Sequence, residues 1–489
     1  MKHPSLELFQ LIMTLTMNEK RHFKLYAMHN NENSTPRYIQ LFDLIDILIK
    51  KNKSYNEIEL KKKIETKRFD ILKQSLFNKI IDSLVVYYQK SEEISLNNAL
   101  SKAHILQRKG MFDVAAKYIQ KYQTKNVNNN HFLHDLGMQI IDSTNHPTGI
   151  NINNIEGNYK EQKRILYQLD NTNEYLYLYS NYIKTYMRKG TNVRSTKDLQ
   201  EFTNIVDNEL LRDYDKATNF TSKSYFNIIN SIHSEVSNSG SSHFFCAQQL
   251  QLFEDYPTKK KERYLSYILA KINHQIALIK SKKYDEFLDS LKSLQAEKIS
   301  YSREGMLIEL GSIMNHLLYF ITIQQYTEAE IIINRINKLE KKYSPFIGLD
   351  NKISYTHNII ITYFSLKKYR LAFKWINELL NEGRYKSLRS DIQISIRLIN
   401  LIIHFELKNE DQLTYYIIGT YRYLAKRKLL YKTEHEILSF LKKALKNNDE
   451  NILFKELYNK LILLHKDRFE SKFINELHII TWLESKIQS

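Results

Sequence analysis

The feature that most restricts how this chain folds is a pattern that occurs twice between residues 311 and 380. Gln324-Gln325-Tyr326 is followed by Ala329, Ile333 and Ile336, and 43 residues later Lys367-Lys368-Tyr369 is followed by Ala372, Ile376 and Leu379. In both copies apolar residues stand three, seven and ten positions after an aromatic residue in a polar turn, which marks one face of a helix of period 3.6. A helix therefore starts at each tyrosine. Phe320 and Tyr363, six residues upstream, close earlier apolar-periodic runs, so each copy reads as helix, tight turn, helix. Such a pair cannot bury its own apolar face and must stack on another like it. The expectation is an all-α chain, a right-handed α-solenoid of stacked helical hairpins, and with it binding by an extended surface.

Composition supports this. Eleven glycines and five prolines in 489 residues leave little material for loop-rich folds, while 43% hydrophobic residues supply packing. The length exceeds one ordinary globular core, but stacked repeats have no such ceiling because each contacts only its neighbours. Lys and Arg total 72 against 54 Asp and Glu, a net charge of +18. One reading is a nucleic-acid or acidic-membrane partner. The other is an AT-rich coding sequence, which also enriches Asn, Ile, Tyr and Phe. The single cysteine, Cys246, excludes an intrachain disulfide and a Cys-based zinc cluster and points to a reducing compartment. Between Phe245 and Ala247 it reads as a small buried residue. No run approaches the roughly 18 apolar residues of a membrane span. The apolar run 6–15 is broken by Glu7 and Gln10 and followed by Asn18-Glu19-Lys20-Arg21, unlike an export signal. A cytoplasmic protein without a membrane partner is expected.

Residues 1–90 do not carry the repeat and form a separate N-terminal helical domain. Helices are predicted at 5–15, 18–28, 36–49, 54–64 and 68–88, with Ser5 and Ser54 as caps and Pro36 in a first turn. The last two suggest a helix-turn-helix. Lys61, Lys62, Lys63, Lys67, Arg68, Lys73 and Lys79 give it the basic face that phosphate contact needs. The competing reading is a cap on the repeats, whose terminal units are atypical. The line from Leu11 to Tyr26, with Leu15-Thr16-Met17-Asn18-Glu19-Lys20-Arg21-His22-Phe23, is similar to the opening of an uncharacterised family of bacterial repeat proteins, a resemblance that implies no activity.

Residues 91–489 carry the repeats. Phe112 with Ala115, Ile119 and Tyr122, and Tyr284 with Phe287, Leu291 and Leu294, match the pattern; they lie 172 residues apart, which implies three turns between them. Tyr159, Leu199 and Ser242 are the candidates. Later turns fall near Glu410, with Leu413 and Ile417, and near Asn451, with Phe454 and Tyr458. At Phe112, Tyr284, Tyr326 and Tyr369 the motif resembles tetratricopeptide repeats. It departs from them in a period of about 42 rather than 34 and in Phe287, which stands where that family has a small residue. Helices on the order of 18 residues follow. The resemblance implies a superhelix whose concave face binds peptides, proteins or, in some members, nucleic acid.

Catalytic signatures are not visible. The glycines form no dinucleotide or P-loop phosphate cradle, and there is no H-E-x-x-H. His131, His134 and Asp135 share a helical face yet read as exposed side chains beside an Asn-rich loop, and His435 between Glu434 and Glu436 reads the same way, because adjacent residues diverge on a helix. No cofactor or metal is expected.

Three constellations remain. Tyr175, Tyr179, Tyr182 and Tyr186 form one stripe at spacings of four, three and four, either core or an aromatic platform for a peptide or unstacked bases. Arg422, Lys426, Arg427, Lys428 and Lys432 form an acid-free run among Tyr421, Tyr423 and Tyr431. Such a run suits single-stranded nucleic acid or a solvated helix with Tyr421 and Leu424 turned inward. Lys259-Lys260-Lys261 after Pro257 reads as a solvated terminus. The expected function is a non-enzymatic protein-interaction scaffold or adaptor that binds a protein or peptide. The alternative is a nucleic-acid-binding regulator using Lys61, Lys62, Lys63 and Arg68 or the run near Arg422.

Overall fold

The structure is a computed structural model that describes residues 4–28, 36–51, 56–64, 66, 68–111, 114, 115, 117, 155–297, 302–343, 346–381, 390–446 and 450–488. Every regular element among them is helical, as the periodicity predicted. The chain divides into two compact units, Met1–Asn171 with Tyr301–Arg303, and Thr172–Ser300 with Glu304–Ser489. Residue 90, the domain boundary expected from the end of the non-repetitive segment, lies inside the first unit.

In the first unit Pro4–Thr14, Met17–Met28, Arg37–Lys50, Glu57–Ile64 and Phe69–Tyr87 start within three residues of the predicted positions. The second helix starts on a reciprocal cap: Glu19 accepts from the Thr16 N–H at 2.6 Å, and the Thr16 hydroxyl accepts from the Glu19 N–H at 3.3 Å. This Thr-x-x-Glu signature satisfies two donors that a helix start would otherwise leave unpaired. The fourth helix is capped by Asn56, whose side chain accepts from the N–H groups of Ile58 and Glu59; Ser54 lies outside the described residues. Phe69–Tyr87 packs on the first three helices, around a core of Leu8, Ile12, Phe23, Phe42, Ile45, Leu76 and Ile80.

In the second unit, helices start at Tyr284, Tyr326 and Tyr369, as the repeat required, and at Glu410 and Glu450. The turns share a mechanism that composition had hidden. Two residues before each of the first four starts, Lys282, Gln324, Lys367 and Lys408 take left-handed φ values of 58°, 59°, 58° and 55°. The next N–H then reaches back five residues, from Lys283 to the Leu278 carbonyl at 2.9 Å, Gln325 to Phe320 at 2.8 Å, Lys368 to Tyr363 at 2.8 Å and Asn409 to His404 at 3.0 Å. This closes the preceding helix by a Schellman bond. In the first unit Gly110, with φ 75°, stands in the same register before Phe112. There the Met111 N–H meets the Leu106 carbonyl at 3.0 Å. A side chain with a Cβ is strained in this conformation and glycine is not. Replacing the exposed Lys367 with Gly is therefore expected to raise unfolding free energy by about 0.5–1 kcal/mol, read as a higher urea midpoint at unchanged slope; a lower midpoint would show that the lysine stem is packed.

Two of the three intermediate turns are corrected. Tyr159, 53% exposed, lies inside the uninterrupted 35-residue helix Ile155–Lys189, and Leu199 lies within Thr196–Val206, whose start is fixed by Ser195, a cap that accepts from the Asp198 N–H at 3.1 Å. Ser242 does start the helix Ser242–Asp255. Phe112 itself lies outside the described residues.

One apolar core runs from Phe220 to Leu483. Ser390–Glu406 is buried nearly all round, as its run Ile392 to Phe405 with few polar residues demands. The short helices Ser471–Glu476 and Ile479–Ile487 close the chain against the repeats. Trp482 packs against Phe364, Phe440 and Phe454, with ring centroids 6.5, 6.2 and 5.6 Å away, and its indole N–H donates to Glu406 at 2.7 Å. The repeat tyrosine Tyr326 meets His478 Nδ1 at 3.0 Å.

Candidate functional site

The tyrosine stripe faces inward. Tyr175 and Tyr182 are fully buried, and Tyr179 and Tyr186 pack partly buried against the same cluster. The Tyr175 hydroxyl donates to the Leu210 carbonyl at 2.6 Å, Tyr182 lies 3.3 Å from His233 Nδ1, and Tyr179 stacks on Tyr225 at 4.8 Å. Core packing, one of the two roles that the spacing allowed, is where these side chains stand; they form no exposed platform.

Directly after this helix lies a polar centre that no motif announced. Gly190 takes φ 75°, and a Cβ there would overlap the Asp391 carboxylate, so the position demands glycine. From Gly190 the chain runs non-helical to Ser195 with Asn192, Val193 and Arg194 buried. A buried loop must find partners for its polar groups. Asp391 accepts from the Thr191 N–H at 3.2 Å, the Ser390 hydroxyl donates to the Arg188 carbonyl at 3.1 Å, and the Asn192 amide donates to Glu476 at 2.5 Å. The Lys472 ammonium donates to the carbonyls of Thr191 and Glu235 at 3.2 and 2.9 Å.

Arg194 is the centre of this clasp. Its Nη1 and Nη2 donate to the two oxygens of Glu434 at 2.8 and 3.0 Å, and Nη2 also reaches Glu470 at 2.5 Å. Glu470 accepts in addition from the Thr433 hydroxyl at 2.6 Å and the Thr433 N–H at 3.2 Å. The guanidinium lies over the rings of Tyr431 and Phe473, 4.8 and 4.3 Å from their centroids. The planar fork of arginine alone serves two carboxylates and two aromatic faces together. Burial pushes the Glu434 carboxyl up to about 7; Arg194 opposes the shift and the neighbouring Glu470 adds to it. Burial likewise holds the Lys472 ammonium below its usual range. The three charged residues lie 240 and 276 positions apart in the chain, so no local spacing could reveal them. Glu434 is fully buried, whereas its neighbour His435 is exposed, as read from the sequence.

The basic N-terminal corner is largely neutralised within its own helices. Lys61 pairs with Glu57 at 3.2 Å and Lys63 with Glu59 at 2.8 Å. Lys73 is buried between Glu57 and Asp70, and Lys79 lies over the Tyr38 ring. Lys62 and Arg68 are exposed, and Lys67 lies outside the described residues. The expected solvated terminus at Lys259 is corrected: its ammonium is buried and paired with Glu262 at 2.9 Å. Lys260 pairs with Glu254.

The run near Arg422 differs. Arg422, Lys426, Arg427 and Lys428 are exposed, and among the described residues none has a carboxylate partner. Arg427 lies over the Tyr423 ring at 4.1 Å, and Lys432 pairs with Asp467 at 2.8 Å. Leu424 turns inward as expected, but Tyr421 is 43% exposed, a correction that follows from its place at the edge of the apolar face. Cys246 is buried, which pushes its thiol up to about 11 and away from the reactive thiolate. His131, His134 and Asp135 lie outside the described residues. Among those described, no group of three His, Cys, Asp or Glu is placed to hold a metal, and no helix is long and apolar enough to cross a membrane.

No protein-family model matches the chain, and neither a curated protein nor a solved structure matches it.

Proposed function

We propose that the chain is a protein-interaction scaffold or adaptor of the cytoplasm: a divergent, tetratricopeptide-like solenoid, capped by its N-terminal helices, that binds a protein or peptide partner on its outer surface. The observation that carries this reading is the outward face of the helix Glu410–Lys426. Tyr415 is 74% exposed there, on the same helix as Ile418, Tyr421, Arg422 and Lys426, the aromatic and arginine composition of protein interfaces. Exposed aromatics held on a rigid helix bind at low entropic cost. The second reading, nucleic-acid binding, rests on Arg422, Lys426, Arg427 and Lys428 having no carboxylate partner among the described residues. These cations wrap their helix instead of aligning in one track, which favours the first reading.

The two readings separate by salt. Contacts to phosphate weaken steeply with salt through counterion release, and an aromatic protein interface does not. With the full chain immobilised, the expectation is a protein captured from extract at physiological salt, together with loss of any single-stranded RNA or DNA binding between low and physiological salt. Nucleic-acid binding that persists at physiological salt and vanishes in Lys426→Glu/Arg427→Glu would replace the scaffold reading.

A further inference from the structure

We infer that the outer face of Glu410–Lys426 is a docking site for an acidic amphipathic helix of a protein partner, seated over Gly419. This rests on the scaffold reading and names the partner's chemistry. Leu413, Ile417, Thr420 and Leu424 are buried and fix one side of the helix. The opposite side carries Tyr415, Ile418, Arg422 and Lys426, at spacings of three, four and four, a continuous stripe. Tyr415 is braced edge-on by Tyr416 at 5.7 Å, and Tyr416 leans on the buried His404 at 5.0 Å. The anchor at the head of the stripe is therefore held before any partner arrives.

Gly419 supplies the second, independent observation. A Cβ there would meet nothing within 4 Å. Glycine in a helix interior costs about 1 kcal/mol relative to alanine, so it needs a use. At two other glycines of this unit the use is visible, since a Cβ at Gly311 would meet Ile272 and one at Gly190 would meet Asp391; Gly348 is open as well but stands at a helix N-cap, where glycine is accepted. At Gly419 none of the described residues makes the approach. The backbone is bare in the middle of the stripe, between Tyr415 and Arg422, where another helix can come close. The charge of that helix is set by what surrounds it. The exposed Asp411 stands at the N-terminal end of this face, one turn before Tyr415, but residues 412–433 contain no Asp or Glu, and Lys442 of the next helix lies over the Tyr421 ring at 5.1 Å. Acids that flank an apolar seam would meet Arg422, Lys426 and Lys442 while the seam covers Tyr415 and Ile418. Nucleic acid would leave Ile418 and the bare glycine without a role.

The test uses the full chain, a fluorescein-labelled model helix with a Leu/Phe seam flanked by Glu, the same helix with Lys in place of Glu, and labelled single-stranded RNA. Anisotropy is read at physiological salt. The expected result is micromolar binding of the acidic helix only. It should weaken about tenfold or more in Tyr415→Ala and in Arg422→Glu/Lys426→Glu, the loss typical of an interface anchor. It should weaken in Gly419→Gln as well, a variant whose thermal midpoint is not lowered because the added side chain enters open space. Absent binding of the acidic helix, equal binding by wild type and Gly419→Gln, or RNA binding that disappears in the double variant would each overturn the proposal. An extract protein captured equally by wild type and Tyr415→Ala would overturn this site and leave the scaffold reading standing.

Discussion

Replacing Arg194 with Ala is expected to destabilise the second unit by about 3–5 kcal/mol, the cost of leaving buried charges without their partner. Glu434 and Glu470 would then face each other without a cation between them, Glu470 keeping the Thr433 donors and Glu434 a backbone hydrogen bond, and the rings of Tyr431 and Phe473 would lose the guanidinium. Urea unfolding followed by circular dichroism reads the loss. A triple replacement, Arg194→Met with Glu434→Leu and Glu470→Leu, should recover much of it, because well-packed apolar residues of similar volume often equal a buried ion network. A single-variant cost under about 1 kcal/mol, within the range of ordinary surface changes, would mean that water reaches the clasp. The same centre sets a pH dependence of unusual sign. Glu434 has a folded pKa near 7 against an ordinary value of 4.5, so between these values the folded state binds the proton more tightly. Its contribution to stability is complete below about 4.5 and is lost as pH rises through about 7. Glu434→Gln should flatten that slope between pH 5 and 7; an unchanged slope would assign the dependence to another group.

The second large effect is expected at Trp482. Truncation to Ala should cost about 3–5 kcal/mol, the range for a buried large aromatic, since it empties the space between Phe364, Phe440 and Phe454 and removes the indole donor from Glu406. Lys486, 2.7 Å from Glu406, keeps that carboxylate paired, so the penalty should come from lost packing. Hydrogen exchange should rise first in Leu349–Ser365, Lys432–Ala444 and Glu450–Leu464, because stability in stacked helices is local. If exchange in these helices is unchanged, the closing helices contribute little to the core they cover.

The helices themselves were legible. Tyr284, Tyr326 and Tyr369 start helices because apolar residues recur at helical spacing after a polar turn; the caps were less legible, since Ser5 lies inside the first helix and the reciprocal Thr16–Glu19 cap, equally local, was not predicted. These are interactions within a few positions, and one sequence contains everything they need. The left-handed turn residues were harder to see, since Lys282, Lys367 and Lys408 stand where glycine is the expected sign, and the Schellman bonds are what hold them there.

What lay beyond the sequence was which face each helix buries and against what. A stripe at spacings of four, three and four states that Tyr175, Tyr179, Tyr182 and Tyr186 share a side; only Leu210, Tyr225 and His233, brought in from distant positions, decide that the side is inward. Lys259 looked like a solvated charge because its neighbours in sequence are polar, but a neighbour on a helix points elsewhere, and its true partner was fixed by packing. The clasp of Arg194, Glu434 and Glu470 is the extreme case. Periodicity determines a helix through contacts three and four residues apart, whereas a buried charge is determined by whatever the tertiary structure places beside it, here from 240 and 276 residues away.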